Sequence, residues 1–238
     1  MQDKRVSADG VYEAWQPFAG VWVIEEGGVR SFLIDGGEEA LLIDTGFGKG
    51  DLKAFLSTLT RGEIRLVNTH ADGDHLGCNH QFAQAFMHPA EFDRYLFEKE
   101  RPCAPVPLWE GEHLRCGGFD LEVVLIPGHT PGSIALLDEK KRLLISGDSV
   151  QSGAVYLFGQ GRNLPAYRAS LDKLAALSYR FDWVLPSHGE ALIPASALRD
   201  VREGAAALQA GQLQPQEPPR PMPCKLYTTG KASFLYEA

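Results

Sequence analysis

Apolar residues in the first part of the chain come in short runs, Val21 to Ile24, Val29 to Ile34 and Ala40 to Ile43, separated by Gly27-Gly28 and Gly36-Gly37. Short runs punctuated by glycine pairs predict an antiparallel meander with the glycines in its turns. The period then changes. Leu52, Phe55, Leu56 and Leu59 make a helical stripe, with Asp51 as its N-cap. Ile64 to Val67 reads as the next strand, Leu76 to Phe86 as a helix, and Pro89 to Phe97 as another with proline in its first turn. Proline-rich Arg101 to Gly111 reads as a loop.

Strand patterning returns at His113 to Cys116, Phe119 to Ile126, Ser133 to Leu137 and Arg142 to Ile145. Pro165 to Leu177 and Ala195 to Leu208 are helical, with the short strand Trp183 to Leu185 between them. Gln214 to Pro223 holds five prolines and must be extended. Lys225 to Thr228 and Ser233 to Tyr236 are a final strand pair. Strands and helices alternate twice, an α/β pattern that two face-to-face sheets with helices outside would satisfy. The whole chain, 1–238, is expected to form a single domain, with two compact halves as the alternative.

Composition narrows the partners. A net charge of -8 and the absence of any lysine or arginine run argue against a nucleic-acid or anionic-membrane surface. Met1 to Arg5 leads into polar residues, so no export signal is expected, and no apolar run is long enough to span a bilayer. Four scattered cysteines without a C-x-x-C pair fit a reduced, cytoplasmic setting.

Against this background one stretch stands apart. Asn68 to Cys78 places His70, Asp72, Asp74 and His75 at the end of an apolar strand. Two imidazoles and two carboxylates so close together are the donors of a metal site, not of a core. Three later turns repeat the design: an apolar strand, a small or turn-forming residue, then one metal-capable side chain. They are Pro127-Gly128-His129, Ser146-Gly147-Asp148 and Pro186-Ser187-His188.

Together these residues resemble the metallo-β-lactamase superfamily, whose His-x-His-x-Asp-His motif and distant His, Asp and His fall on His70, Asp72, Asp74, His75, His129, Asp148 and His188. The resemblance spans roughly Val21 to Gly189 and implies a four-layer αββα sandwich with a two-metal site. It assigns His70, Asp72 and His129 to one ion, Asp74, His75 and His188 to the other, and Asp148 to a bridge between them. It further implies a metal-bound hydroxide as nucleophile, with Asp74 orienting it or accepting its proton.

Two residues depart from the family pattern. Asp72 stands where the family has histidine, and Cys78 where it has glycine. A carboxylate for an imidazole adds a negative charge and a hard oxygen donor, which shifts preference away from zinc towards iron or manganese; the two divalent ions are expected to be zinc, with iron or manganese as alternatives. Three carboxylates against two divalent ions leave a net charge of roughly +1, one unit below the family norm. The flavodiiron branch also carries a carboxylate in this slot.

The resemblance implies a hydrolase of a small-molecule ester, thioester or lactone. The rivals are an iron-dependent oxidoreductase of the same superfamily and a non-catalytic metal-binding regulator. Tyr156 and Arg162, in the segment after Asp148 where the family places substrate contacts, are the expected donors to a polar or anionic substrate group; ordinary loop packing is the alternative reading. His80, His88 and His113 are expected outside the ligand set.

Overall fold

The computed structural model describes residues 4–97 and 103–237. The chain divides between Val123 and Val124 into two compact units.

In the first unit the expected meander is present and is extended on its N-terminal side. Its strands are β1 (Arg5–Val6), β2 (Glu13–Phe18), β3 (Val21–Glu26), β4 (Val29–Asp35) and β5 (Glu39–Ile43), each antiparallel to the next. Helix α1 (Leu52–Leu56) starts as the sequence indicates, with Asp51 accepting the Ala54 N–H at 3.0 Å. From there the pairing turns parallel, through β6 (Glu63–Val67), β7 (Gln84–Met87) and β8 (Ala104–Pro107). Parallel strands end at the same sheet edge, so the segments following β5, β6 and β7 emerge together. That edge carries Asp44, His70 and His88. The hairpin β9 (His113–Cys116) and β10 (Phe119–Leu125) follows.

Two expectations for this unit fail. Leu76 to Phe86 is not one helix. A four-residue helix α2 (Gly73–Leu76) gives way to a 3-10 turn at Asn79–Gln81 and then to β7. The apolar positions that imitate a helical stripe are divided between the turn and a buried strand, which periodicity alone does not distinguish in a short run. The supposed loop from Arg101 onward contains β8, an edge strand, where proline costs no ladder hydrogen bond; Arg101 and Pro102 lie outside the described residues. The helix expected at Pro89 to Phe97 is present as a 3-10 turn, Pro89–Glu91, running into α3 (Phe92–Phe97).

The second unit is built on β11 (Ile134–Asp138), β12 (Leu143–Gly147), β14 (Trp183–Pro186) and β15 (Ile193–Pro194). Here β11 and β12 are antiparallel and β12 and β14 parallel. The turn before β11 and the ends of β12 and β14 therefore share one edge. A smaller sheet is ordered β13 (Ala154–Leu157), β17 (Ala232–Tyr236), β16 (Lys225–Thr229). It contains the expected C-terminal pair and one strand, β13, that the short run Ala154 to Leu157 does not announce.

Helices α4 (Leu164–Ala176) and α5 (Ala197–Gln209) pack on one another over a core that includes Leu171, Leu174, Val201, Ala205 and Phe234. Fully burying each large apolar side chain contributes about 1.5–3 kcal/mol.

Gly128 shows how tightly α4 holds the turn before β11. Its φ is +134°, and a Cβ there would lie 2.2 Å from the backbone nitrogen of Tyr167. Gly128→Ala is expected to destabilise the protein by roughly 3 kcal/mol or more, read as a lower denaturation midpoint.

Candidate metal centre

Within the first unit, the strand-end motif is organised by a residue whose sequence context marks only the end of a strand. Asp44 is fully buried and sits in the left-handed region at φ 62°. Its Oδ2 lies 2.8 Å from His75 Nδ1 and 2.7 Å from Thr69 Oγ1, and its Oδ1 accepts the Thr69 N–H at 2.8 Å. A carboxylate only accepts, so Thr69 spends its single hydroxyl hydrogen on Asp44 and must accept from His70 Nδ1, 2.9 Å away. One carboxylate thereby fixes the tautomer of both histidines. Each carries a hydrogen on Nδ1, which leaves Nε2 as the ring nitrogen that could face a metal.

Asn68 and Asn79 brace the same motif. Asn68 Nδ2 donates to the His75 carbonyl at 3.1 Å, and Asn79 Nδ2 donates to Asn68 Oδ1 at 2.8 Å.

Each of these Nε2 atoms has a carboxylate for company. His70 Nε2 is 3.6 Å from Asp72 Oδ2, and His75 Nε2 is 3.9 Å from Asp74 Oδ1. The two rings lie 4.0 Å apart, centroid to centroid.

The second unit repeats the arrangement. His129 Nδ1 donates to the backbone carbonyl of Tyr156 at 2.9 Å, which again leaves Nε2 as the nitrogen that could face a metal. Asp148 Oδ2 lies 3.5 Å from that Nε2 and 3.4 Å from His188 Nε2, one carboxylate oxygen set between two imidazoles. The parallel pairing of β12 and β14 explains the closeness of Asp148 and His188, since Ser187 N–H donates to the Gly147 carbonyl at 3.1 Å.

The donor chemistry fits divalent cations. Imidazole lone pairs and carboxylate oxygens are both acceptors, and where they face each other away from water, as at His129 and Asp148, a cation between them would relieve their repulsion. Two donors about 2.1 Å from a shared ion at near-tetrahedral angles lie about 3.4 Å apart. The separations found here run from that value up to 3.9 Å, and all are longer than a direct imidazole–carboxylate hydrogen bond.

The remaining candidates have other surroundings. Tyr156 meets His129 through its backbone, while its hydroxyl accepts from Arg220 Nη2 at 3.4 Å. Arg162 Nη1 donates to the His129 carbonyl. Both contribute to holding His129 in place. His80 bonds the Gly77 carbonyl, His88 packs edge-on to Trp109, and His113 pairs with Asp120.

Cys78 is buried, with Sγ 3.4 Å from both the Tyr12 hydroxyl and the Gly50 carbonyl. Burial pushes its thiol pKa up. Cys78 is therefore expected to stay unreactive towards a thiol-specific chromogenic disulfide at a pH of about 8 in the folded protein and to react on unfolding.

A fold of several sheets, with histidines and aspartates at strand ends that could hold a metal, is that of an α/β metallohydrolase. The chain belongs to the metallo-beta-lactamase superfamily, whose family model matches residues 24–188. It is similar to the acyl-coenzyme A thioesterase MBLAC2 of Bos taurus, 28% identical over 214 residues that cover 70% of this chain and 77% of that protein. It also resembles the hydroxyacylglutathione hydrolase GloC of Haemophilus influenzae, 30% identical over 146 residues, 52% of this chain and 68% of that one. Among solved structures, a metallo-beta-lactamase family protein from Thermus thermophilus, TTHA1429, superposes with a TM-score of 0.64 at 24% identity, covering 82% of this chain and 80% of that one. No helix among the described residues is long and apolar enough to cross a membrane.

Proposed function

We propose that this chain hydrolyses a small-molecule acyl thioester at a centre of two divalent cations. His70, Asp72 and His129 would hold one ion, Asp74, His75 and His188 the other, and Asp148 would join them. The observation that carries this reading is the position of Asp148 Oδ2, at ligand-to-ligand distance from both His129 Nε2 and His188 Nε2.

When bound, two such cations supply Lewis acidity, lowering the pKa of water and polarising a carbonyl. The chain's own residues do the rest. Asp44, through His75 and Thr69, keeps the imidazoles in the tautomer that offers Nε2. The Tyr156 carbonyl does the same for His129. Asp74, partly exposed and in the first turn of α2, is placed to orient the attacking water or take its proton.

A thioester is preferred over an ester or lactone because two relatives named for thioester hydrolysis, of coenzyme A and of glutathione, match this chain. Zinc is the preferred ion, with iron or manganese as alternatives drawn by the extra oxygen of Asp72. A cytoplasmic setting is supported by four free, buried cysteines.

The test is a panel of acyl thioesters, oxygen esters and lactones assayed on protein stripped of metal and reloaded with one ion at a time. Turnover is expected to favour thioesters and to depend on reloading. Iron-dependent oxygen consumption without turnover of any panel member would favour the oxidoreductase. Metal uptake without any turnover would favour the regulator.

A further inference from the structure

The residue that departs from the family motif has a partner. Asp72 Oδ1 is ion-paired at 2.6 Å with Arg94 Nη2, while its Oδ2 is the oxygen 3.6 Å from His70 Nε2. Arg94 belongs to α3, and its Nε donates to the Ala71 carbonyl at 3.2 Å. Just ahead of α3, the fully buried Glu91 accepts the Ala71 N–H at 2.8 Å. The segment Glu91 to Arg94 therefore grips both backbone groups of Ala71 and one oxygen of the next side chain.

We infer that Arg94 is a positioning residue that makes Asp72 the equivalent of the histidine it replaces. An imidazole offers a metal one donor atom and no charge. A lone carboxylate offers two donor atoms and a negative charge. With Oδ1 held by a guanidinium, Asp72 offers one oxygen, and the pair Asp72–Arg94 is neutral. The expectation that Asp72 leaves the centre one unit less positive is thereby changed, because Arg94 restores that charge from the side of the carboxylate facing away from His70. The extra carboxylate then gives no electrostatic reason to abandon zinc.

This role for Arg94 rests on the proposed metal reading, and it makes a specific demand on paired substitutions. Asp72→His alone leaves Arg94 as an uncompensated positive charge beside a cation. Asp72→His combined with Arg94→Met is neutral again, as in the wild type. Zinc affinity, measured by competition with a chromophoric chelator on the full chain, is expected to fall by about tenfold or more in Asp72→His and to recover most of that loss in the double variant. Arg94→Gln serves as the second partner substitution if the methionine variant does not fold, and far-UV circular dichroism of the metal-free proteins establishes folding.

A purely structural Arg94, needed only to hold Ala71, predicts the reverse. The double variant would then bind zinc no better than Asp72→His, and that result overturns the inference while leaving the metal reading intact. A wild-type chain that binds no metal overturns both.

Discussion

Asp148→Ala is expected to lower thioester turnover by about a thousandfold or more and to strip metal from the protein. In the proposed centre Asp148 would be the residue shared by both ions, and its Oδ2 lies between two imidazoles of its own unit. A bound divalent pair is worth several kcal/mol of transition-state stabilisation, and each ~1.36 kcal/mol is a factor of ten in rate. The same substitution removes a small buried carboxylate and leaves in place the hydrogen bond from His129 Nδ1 to the Tyr156 carbonyl. The metal-free variant should therefore melt close to the metal-free wild type. Steady-state kinetics, elemental analysis and a melting curve on the same preparation check the three parts together.

The second large effect is expected at Asp44, which touches no proposed ligand position except through hydrogen bonds. Asp44→Asn keeps the size of the side chain, and asparagine tolerates the left-handed backbone found there. What it loses is an acceptor. The Oδ2 position receives hydrogens from both His75 Nδ1 and Thr69 Oγ1, and an amide placed there can satisfy both only through its single oxygen. The Thr69 N–H that now meets Oδ1 would face an NH2 group. His75 would be released to place its hydrogen on either nitrogen, and the order passed to His70 through Thr69 would be lost with it. Metal affinity is expected to fall by about 10- to 100-fold, the usual consequence when a metal-binding histidine loses the hydrogen-bond partner of its other ring nitrogen, as measured by chelator competition.

These two residues also mark what can and cannot be read from the sequence. Asp148 is legible because Leu143-Leu144-Ile145-Ser146-Gly147 announces a buried strand and a tight turn, and a carboxylate directly after that has little packing reason to be there. His129 and His188 are legible for the same reason. Asp44 follows Ala40 to Ile43 as a carboxylate at a strand end, but directly, without the small or turn-forming residue that precedes the other three. It matches no ligand of the motif, and the motif therefore gives it no part. Its carboxylate meets the ring of His75, 31 positions further along the chain, a relation set by the parallel pairing of β5 with β6 and invisible to spacing.

Arg94 is less accessible still. Nothing in Phe92 to Phe97 distinguishes its one arginine from an ordinary solvated helix residue. Only the placement of α3 against Ala71 and Asp72 gives it a part. The failed helix from Leu76 to Phe86 has a related origin. A short apolar run is compatible with either period, and strand pairing with β6 and β8 makes the choice. The meander, the cap at Asp51 and helix α4 are legible, because each rests on local chemistry that tertiary packing reinforces.

A centre of two ions is tested most directly by the metal content of the purified chain after reloading and removal of excess ion. Elemental analysis is predicted to give two equivalents of divalent metal per chain, falling below one in Asp148→Ala. A wild-type value that saturates at one equivalent or less, or two equivalents retained by Asp148→Ala, would contradict a two-ion centre joined by Asp148.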